Sequence, residues 1–491
     1  MAEEKNENVV IFPFMAQGHI TPFLALAKLI ERRKGYTVTF VSTPLNITNI
    51  RPTLPLDTTI RLAELPFCST DHGLPPNTEN TLGLSYLLIS HFVIAAEALR
   101  SPFKQLLVDI TENSGRKPVC VITDMFLAWT VEVANDLGIY HSTFIAGGGY
   151  GMAIYFSVVM NMPKYKTGDE EFSLPDFPEA PKIQWSQLTE DRKFTDWTDP
   201  WSQYQCQQLS LCMRSHSILL NNIAELENSG LEYFRRKTGG RHIWPIGPTC
   251  SSSKAPPISH YCLEWLDIHP PASVLYISFG SQFTISASQI MELAMGLEAS
   301  GKSFIWVIRP PIEFGINEEF RPEWLPEGFE DQMRENKQGL LVRNWAPQLE
   351  ILSHSSTGTF LSHCGWNSII ESLTRGIPII AWPLAGEQFF NSNMLEKEVG
   401  VCIEVVRGIN SDIIGYNHIA EVISNVMGDT EKGENMRRKT RKVKKMMNDA
   451  LKESEGFKGS SVKAMNEFLN SATAMTDIAY HSTNGYTQKS Q

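Results

Sequence analysis

Runs of hydrophobic residues near the start of the chain alternate with a helical pattern. Residues 9–14 predict a buried strand, residues 15–20 a loop, and Thr21 with Pro22 the N-cap and first position of a helix. The segment Tyr36–Ser42 alternates between polar and apolar side chains and predicts the next strand. A strand, a helix and a second strand in this order predict a βαβ unit, whose two strands run parallel.

The same pattern recurs in both halves of the chain. In the N-terminal half, residues 119–123 and 140–145 predict strands on either side of a helix. In the C-terminal half, Ser286 and Gln289 form a capping box that predicts a helix start. The strands predicted there are residues 274–279, 303–308, 340–342 and 357–361. Each half is therefore predicted to be an α/β domain built on a parallel sheet.

One uncharged stretch, residues 142–163, is long enough to cross a bilayer. Three consecutive glycines, residues 147–149, divide it into residues 142–146 and residues 150–160, each too short to cross alone. We interpret the two pieces as a buried strand and a following helix, and we expect no integral membrane segment.

A change of composition at residues 249–259 separates the two halves, because this stretch is rich in Ser and Pro and carries a single charge. We predict an N-terminal Rossmann-like domain over residues 1–248, a linker over 249–259 and a C-terminal Rossmann-like domain over 260–465. Residues 466–491 are predicted to be a partly disordered tail. Two linked α/β domains predict a cleft between them, and ligands of open α/β sheets bind beyond the carboxyl ends of the strands.

The charge balance argues against a nucleic-acid partner. The 491 residues carry 43 Lys and Arg against 54 Asp and Glu, a formal charge of −11. One basic run, residues 437–445, could still bind nucleic acid or lipid headgroups. The apolar residues Met436, Val443, Met447 and Ala450 share one helical stripe, which favours a surface helix docked on the core with a solvated basic face.

The eight cysteines include no C-x-x-C pair and indicate free thiols in a reducing compartment. The first residues, MAEEKNENVV, are acidic and lack the hydrophobic region of a secretory signal. We therefore expect a cytoplasmic protein, and we expect it to be a monomer.

Residues 362–371, SHCGWNSIIE, combine a strand end, a polar loop and a helix start. Backbone N–H groups and the positive end of the helix dipole make such a loop a phosphate seat, to which His363, Asn367 and Ser368 add side-chain donors. Taken alone, Ser368 and Glu371 fit a capping box equally well.

Two nearby residues indicate that this phosphate-binding loop belongs to a site for a nucleoside diphosphate. Trp345 is predicted to lie in an exposed loop, where it could stack on a base. The Glu371 carboxylate, one turn into the helix, could accept hydrogen bonds from ribose hydroxyls.

Residues 345–388 and several shorter segments closely resemble a known protein family. Residues 345–388 resemble the signature box of plant UDP-dependent glycosyltransferases of family 1, which glycosylate small lipophilic molecules. The resemblance extends over nearly the whole chain, through residues 244–248, residues 279–281 and the pair Gly18 and His19. It implies an α/β GT-B fold, in which two Rossmann-like domains with parallel sheets face each other across a cleft. The N-terminal domain would bind the acceptor and the C-terminal domain the UDP-sugar.

The resemblance also implies a role for each matching residue. Trp345 would stack on uracil, the Ala346 backbone would contact its edge, and Gln348 and Glu371 would lie near the ribose. Gln388, the last residue of the box, implies glucose rather than galactose. The other UDP-sugar residues implied are Ser281, His363, Gly365, Asn367 and Ser368 at the diphosphate, and Trp366 and Glu387 at the sugar. Ser362 and Glu387 stand where relatives often have Thr and Asp, and both keep the chemistry.

His19 follows the first predicted strand, and an imidazole is the natural base for a phenol or alcohol proton. A loop His can also be purely structural. Asp124, at the end of another strand of the same sheet, could orient the ring, or could simply cap the helix that follows it. In the resembling family these two positions match the catalytic base and its partner.

Apolar walls around a single polar base favour flat, lipophilic acceptors such as flavonoids, other phenolics or terpenoids. Each candidate wall could equally be a core residue. The candidates are Phe14, Met15, Gln17, Phe126, Phe144, Tyr150 and Trp201.

These features predict an inverting UDP-sugar-dependent glycosyltransferase that uses UDP-glucose and acts on a hydroxyl or carboxyl group. We expect no metal and no bound cofactor, because no Asp-x-Asp motif occurs. The absence of G-x-G-x-x-G and G-x-S-x-G argues against a dinucleotide-dependent oxidoreductase and a serine hydrolase. The remaining alternative is a non-catalytic UDP-sugar-binding protein, which the presence of both His19 and Asp124 disfavours.

Overall fold

The structure, a computed structural model, describes residues 7–252, 260–315, 318–406 and 413–487. Its strands, in chain order, are β1 Glu7–Phe12, β2 Tyr36–Ser42, β3 Arg61–Glu64, β4 Cys120–Asp124, β5 His141–Ile145, β6 Glu171–Phe172, β7 Ile183–Gln184, β8 Ser217–Leu220, β9 His242–Pro245, β10 Val274–Ser278, β11 Ser303–Ile308, β12 Gly339–Arg343, β13 Thr357–Ser362, β14 Ile379–Ala381, β15 Cys402–Glu404, β16 Glu453–Ser454 and β17 Phe457–Lys458.

The α-helices are α1 Gln17–Glu31, α2 Pro44–Ile50, α3 Tyr86–Ala95, α4 Arg100–Ser114, α5 Thr130–Asp136, α6 Gly149–Asn161, α7 Glu190–Lys193, α8 Pro200–Cys212, α9 Asn228–Lys237, α10 His260–Asp267, α11 Ala287–Ser300, α12 Phe329–Glu335, α13 Gln348–Ser353, α14 Trp366–Arg375, α15 Gln388–Met394, α16 Tyr416–Met427, α17 Glu431–Leu451 and α18 Ser460–Thr487. Short 3-10 turns occur at Arg51–Thr53, Ser69–His72, Ala96–Leu99, Met125–Leu127, Trp185–Gln187, Thr249–Ser252 and Pro322–Trp324, and a π-helical turn at Leu395–Val399.

The chain forms two compact units whose limits differ from the predicted domains. The first unit runs to Gly149 and adds Trp197–Ser252 and the chain from Ala450. The second comprises Tyr150–Asp196 and Ser253–Asp449. The units thus differ from the predicted boundaries at residues 150–196 and at residues 450–465. Of the predicted linker, residues 249–252 form a 3-10 turn and residues 253–259 lie outside the described part of the chain.

The C-terminal segment is also more ordered than predicted. Helix α18 continues past residue 466, and Phe468, Leu469 and Ala472 are buried in the core of the first unit. Because these residues lie three to four positions apart, they form one apolar helix face that packs against the sheet. Of the tail that was predicted to be partly disordered, residues 466–477 thus form a packed helix, and residues 488–491 are not described.

The first unit contains a parallel sheet in the order β3-β2-β1-β4-β5-β8-β9. Side chains of β1 alternate between two cores: Val9 and Ile11 face α1 and α18, whereas Val10 and Phe12 face α3 and α4. After β1 the chain continues to β2 and β3 on one side of β1, and β4 then pairs with β1 on its other side. At this switch point the loops after the two strands diverge, which is where ligands of α/β sheets bind.

Helix α1 begins at Gln17, four residues before the predicted N-cap Thr21. The backbone N–H groups of His19 and Ile20 both donate to the Ala16 carbonyl, at 2.9 and 2.8 Å, and so start the helix early. Pro22 lies inside the helix, in its second turn. His19 is therefore placed by a helical turn rather than by a loop, which restricts where its ring can point.

The second unit contains a parallel sheet in the order β12-β11-β10-β13-β14-β15. Its switch point lies between β10 and β13. The predicted helix start is confirmed, since Ser286 Oγ accepts a hydrogen bond from the Gln289 N–H at 3.2 Å. The reciprocal half of the capping box is not formed, because the Gln289 side chain bonds to the Ile414 backbone instead. The apolar stripe of α17 is also confirmed, because its predicted members are all buried.

Residues 142–163 form a buried strand and a helix, β5 and α6, as predicted. Among the described residues, no helix combines the length and the apolar character needed to span a membrane.

Candidate active site

The ends of β1 and β4 bring His19 and Asp124 together. His19 Nδ1 lies 2.7 Å from Asp124 Oδ2, and the Asp124 carboxyl is buried whereas 26% of the His19 side chain is exposed. The other carboxylate oxygen, Oδ1, accepts the Phe126 N–H at 3.0 Å. Both interpretations of Asp124 therefore hold, because one oxygen caps the turn after β4 and the other contacts the imidazole.

This arrangement determines how the ring can act. A proton on Nδ1, donated to the carboxylate, leaves Nε2 as the basic nitrogen of the ring. Because His19 lies in the first turn of α1, the helix dipole disfavours a positive charge on it. The buried carboxylate of Asp124 offsets this effect and stabilises the imidazolium.

Aromatic rings surround the His19 imidazole on one side. Ring centroids of Phe14 and Phe126 lie 5.6 and 5.5 Å from that of His19. Phe92 on α3, which the sequence analysis did not identify, lies 5.8 Å from Phe14. The only sequence signal for Phe92 was its place in a strongly apolar helix. A base beside such rings suits an apolar or aromatic acceptor.

The remaining predicted pocket walls separate into three groups. Trp201 packs against the same cluster as Phe14, and Met15 is fully buried in it. Gln17 is exposed and donates to Thr21 Oγ1 at 3.2 Å. Phe144 and Tyr150 are both buried against other aromatic rings.

Phe144 and Tyr150 lie in different parts of the structure. Phe144 points to the opposite face of the sheet, where it is fully buried against Phe23 at 4.8 Å. Tyr150 belongs to the second unit, is 2% exposed and packs on Phe177 at 5.8 Å. Neither a strand's facing direction nor a long-range packing partner can be read from an isolated aromatic residue.

A buried polar network lies in the strand next to Asp124. His141 Nε2 lies 3.0 Å from Thr123 Oγ1 and 3.1 Å from Thr130 Oγ1, and its Nδ1 lies 3.1 Å from Ser215 Oγ. Burial, with a smaller contribution from His216, lowers the pKa of His141 to about 3. The ring is therefore neutral at pH 7 and ties β4 and β5 together through hydroxyl groups.

In the second unit, the loop after β13 carries His363, whose ring fills the space beside two glycines. A Cβ on Gly280 or on Gly365 would lie 2.5 Å from His363 Nε2. Burial lowers the pKa of His363 to about 4; the Arg309 cation adds to this effect, while a backbone hydrogen bond with Ser278 opposes it. His363 is thus a neutral ring at pH 7. Ser281 follows Gly280 and therefore lies in the loop that packs beside the His363 ring.

Helix α14 begins at Trp366, with Gly365 as its N-cap and no side-chain cap. The capping-box interpretation of Ser368 and Glu371 is therefore wrong, because Ser368 is the third helical residue. First-turn N–H groups of a helix have no intrahelical acceptor. With Asn367 in the same turn, this helix start has the donors and the dipole of an anion site.

The side chains of Ser368 and Glu371 instead converge on Gln348. Gln348 Nε2 donates to Ser368 Oγ at 3.0 Å and to Glu371 Oε2 at 2.7 Å, and its Oε1 accepts from Tyr276 Oη at 3.3 Å. Burial raises the pKa of Glu371 to about 7, while the bond from Gln348 and the charge of Arg375 oppose the shift. The two residues predicted at the ribose are therefore in contact with each other.

Trp345 is 66% exposed, as its predicted stacking role requires. The turn before it is fixed by the Arg309 Nε–H, which donates to the Asn344 carbonyl at 3.0 Å. Asn344 itself has a positive φ of 64°. Ala346, the next residue, is buried. Arg309 was missed by sequence reasoning because a strand-end Arg has no distinctive pattern.

The residues predicted at the sugar differ in their exposure. Gln388 Oε1 accepts from the Leu384 and Ala385 N–H groups, at 2.9 and 3.0 Å, so its Nε2 is the end left for a ligand. Glu387 is half-buried beside it. The Trp366 indole is only 3% exposed and offers a ligand little surface. Among the described residues, no three His, Cys, Asp or Glu side chains gather into a candidate metal site.

Two family models match the chain, one described as "UDP-glucoronosyl and UDP-glucosyl transferase" over residues 242–442 and one described as "Glycosyltransferase, N-terminal domain" over residues 6–250. The chain is 44% identical over 485 residues to UDP-glycosyltransferase 92A1 of Arabidopsis thaliana, covering 96% of this chain and 99% of that relative. It is 43% identical over 428 residues to crocetin glucosyltransferase 3 of Crocus sativus, covering 83% and 88%.

Solved structures give the same result. The structure of Phytolacca americana UGT2 complexed with UDP-2fluoro-glucose and pterostilbene is 28% identical, with a TM-score of 0.76, and the match covers 95% of this chain and all of that one. The similarity therefore includes both units rather than the signature box alone.

Proposed function

The chain belongs to the plant family-1 UDP-glycosyltransferases, has their GT-B fold and transfers a sugar from a UDP-sugar to a small acceptor, and from this premise we propose that it is an inverting glucosyltransferase with His19 as its base. The observation that carries the proposal is the 2.7 Å contact between His19 Nδ1 and the buried Asp124 carboxylate. A ring held in this way has its basic nitrogen directed away from the carboxylate.

The proposed reaction uses these residues in one displacement. His19 Nε2 takes the proton of an acceptor hydroxyl group while the acceptor oxygen attacks the anomeric carbon, whereas a carboxyl acceptor is already ionised at pH 7 and attacks as the carboxylate. The bond between that carbon and the UDP oxygen breaks, and UDP leaves with the electron pair. Attack on the face opposite UDP converts the α-linked donor into a β-linked product. Asp124 orients the ring and stabilises its protonated form.

We further propose that the negative charge of the departing UDP is stabilised without a metal ion. The first-turn N–H groups of α14, the hydroxyls of Ser281 and Ser368, and the neutral ring of His363 would contact the diphosphate. Addition of EDTA to the purified enzyme should leave turnover unchanged, and a loss restored by a divalent cation would contradict this part of the proposal.

The donor sugar we propose is glucose. Gln388 supports this choice, because its Oε1 is held by two backbone N–H groups and its Nε2 remains for sugar hydroxyls. Crocetin glucosyltransferase 3 and scopoletin glucosyltransferase of Nicotiana tabacum, which is 33% identical over 499 residues, are named for this sugar.

For the acceptor we propose a flat, lipophilic phenolic or terpenoid. The support is the set of aromatic rings around His19, together with the names of relatives. One of these is UDP-glucose flavonoid 3-O-glucosyltransferase 7 of Fragaria ananassa, 34% identical over 406 residues.

The test is a screen of the purified protein with UDP-glucose, UDP-galactose and UDP-glucuronate against a mixed library of phenolics, flavonoids and terpenoids. Mass spectrometry would report a gain of one hexose, and NMR of the product would report a β anomeric configuration. An α-linked product would contradict the mechanism. UDP binding without transfer to any library member would favour the alternative function of a non-catalytic UDP-sugar-binding protein.

We also propose that the enzyme is a cytosolic monomer without a nucleic-acid partner. All eight cysteines are unpaired, which suits a reducing compartment. Sedimentation of the purified protein and fractionation of a tagged protein test this proposal, and a dimer or a firmly pelleting protein would contradict it.

A further inference from the structure

The loop after β13 contains a residue in an unusual backbone conformation. Cys364 has a φ of 63°, in the left-handed region that residues other than Gly rarely adopt. Such a conformation persists only where the surroundings hold it, and it is often found at ligand sites. Cys364 lies directly before Gly365, the N-cap of α14.

Two side chains hold the Cys364 peptide groups. The Cys364 N–H donates to Ser362 Oγ at 3.1 Å. The Cys364 carbonyl accepts from Asn391 Nδ2, also at 3.1 Å. Asn391 lies on α15, and none of its surface is exposed. A residue 27 positions away in the chain thus fixes the carbonyl of the strained residue.

Fixing this carbonyl also fixes a donor. The peptide bond is planar and trans, so the Gly365 N–H points opposite to the Cys364 C=O. Because Asn391 holds the carbonyl on one side, the Gly365 N–H is directed to the other side, directly before the first turn of α14. The proposed function assigns the N–H groups of that turn to the donor diphosphate.

The Asn391 amide is itself constrained by a glycine on α6. A Cβ on Gly151 would lie 2.1 Å from Asn391 Oδ1 and 3.1 Å from Asn391 Cγ. No side chain other than hydrogen fits there while the amide keeps its place. Among the described residues Asn391 Oδ1 has no hydrogen-bond partner, so packing against Gly151 is what holds that end of the amide.

We propose that Asn391 is a positioning residue for the donor diphosphate, and that Gly151 is required because it leaves the space for the Asn391 amide. The inference rests on the proposed function, since it assumes that a UDP-sugar binds at this loop. Asn391 would act through the Cys364 peptide and would not touch the uracil or ribose sites at Trp345 and Gln348.

The test compares UDP with uridine, because the two ligands differ only in the diphosphate. Dissociation constants for both would be measured by calorimetry on the full chain of wild type, Asn391→Ala, Asn391→Asp and Gly151→Ala. Asn391→Asp keeps the size of the side chain but cannot donate to the Cys364 carbonyl. Asn393→Ala is the matched control, because Asn393 lies on the same helix, two residues away.

We expect the dissociation constant for UDP to rise about tenfold or more in the three test variants, the scale of a lost buried hydrogen bond and a displaced loop. The constant for uridine should stay within about twofold, and Asn393→Ala should change neither. The uridine constant serves as an internal control, because a variant with less folded protein would bind both ligands more weakly by the same factor.

Equal weakening of UDP and uridine, or unchanged UDP binding in folded Asn391→Asp, would overturn the role of Asn391. Unchanged UDP binding in Gly151→Ala alone would overturn the role of Gly151. Failure of the premise that a UDP-sugar binds at this loop looks different, because wild type itself would then bind UDP no more tightly than uridine.

Discussion

Glu371 gives a prediction whose size follows from the structure. Burial raises its pKa from an ordinary value of 4.5 to about 7, although Gln348 donates to its carboxylate. Each pKa unit corresponds to about 1.36 kcal/mol, so ionising this side chain in the folded protein costs about 3 kcal/mol relative to the unfolded chain. The substitution that removes this titration while keeping the shape is Glu371→Gln.

The sign follows from the direction of the shift. A carboxyl whose folded pKa is raised stabilises the fold most fully below its unfolded pKa, near 4.5, and this contribution is lost as the pH rises through about 7. The free energy of unfolding of wild type relative to Glu371→Gln should therefore fall by about 3 kcal/mol between pH 4.5 and pH 8. Urea denaturation of both proteins at a series of pH values measures this difference.

Ligand binding should show the opposite trend. A ribose hydroxyl that donates to the carboxylate prefers the ionised form, so uridine affinity should rise about tenfold between pH 6 and pH 8 in wild type and remain flat in Glu371→Gln. Uridine is used instead of UDP because phosphate groups titrate near pH 6, at about the same pH. His363, with a pKa of about 4, stays neutral throughout this range. Identical pH profiles for the two proteins, in stability and in binding, would refute the reasoning.

Three further predictions concern single side chains. Trp345→Ala should weaken uridine binding by about 1–3 kcal/mol, the scale of base stacking, as measured by calorimetry; an unchanged affinity would contradict the stacking role. Gln388→His should shift the ratio of kcat/KM for UDP-glucose over UDP-galactose towards galactose, and an unchanged ratio would show that this residue does not select the sugar. Phe468→Ala should lower the free energy of unfolding by about 3–5 kcal/mol in urea denaturation, whereas a change below about 1 kcal/mol would contradict the packing of α18 on the first unit.

Elements with strong periodicity were predicted from the sequence with nearly correct bounds. Strands β2 and β11 match residues 36–42 and 303–308, and the helix start at Ser286 is confirmed. Local pattern is sufficient for these elements because burial of one face or of a whole strand, together with a capping side chain, dominates their energy.

The errors arose where a competing hydrogen bond from outside the predicted motif decides the outcome. Thr21 and Pro22 have the pattern of a helix start, yet the helix begins earlier because the Ala16 carbonyl accepts hydrogen bonds from the His19 and Ile20 N–H groups. Ser368 and Glu371 have the spacing of a capping box, but the helix begins at Trp366 and Gln348 binds both side chains. Local spacing cannot indicate that a residue some twenty positions earlier will compete for the same groups.

The candidate site shows the same division. Residues with a distinctive motif, such as His363 and Trp345, could be proposed as site residues from the sequence. Residues that act by contact with the backbone, such as Arg309 and Asn391, were not, because a hydrogen bond to a carbonyl leaves no pattern in side-chain identity. Their detection requires the three-dimensional arrangement.

The most direct test of the account is the turnover of His19→Ala with UDP-glucose and an accepted phenolic, measured beside the UDP dissociation constant of the same protein. His91→Ala, a change of an exposed His on α3, is the matched control. We expect kcat to fall by about 10²–10⁴-fold in His19→Ala with UDP binding unchanged, as expected for a lost general base, and the control to behave as wild type. Wild-type turnover in His19→Ala would contradict the assignment of His19 as the base, and so would a parallel loss of UDP binding.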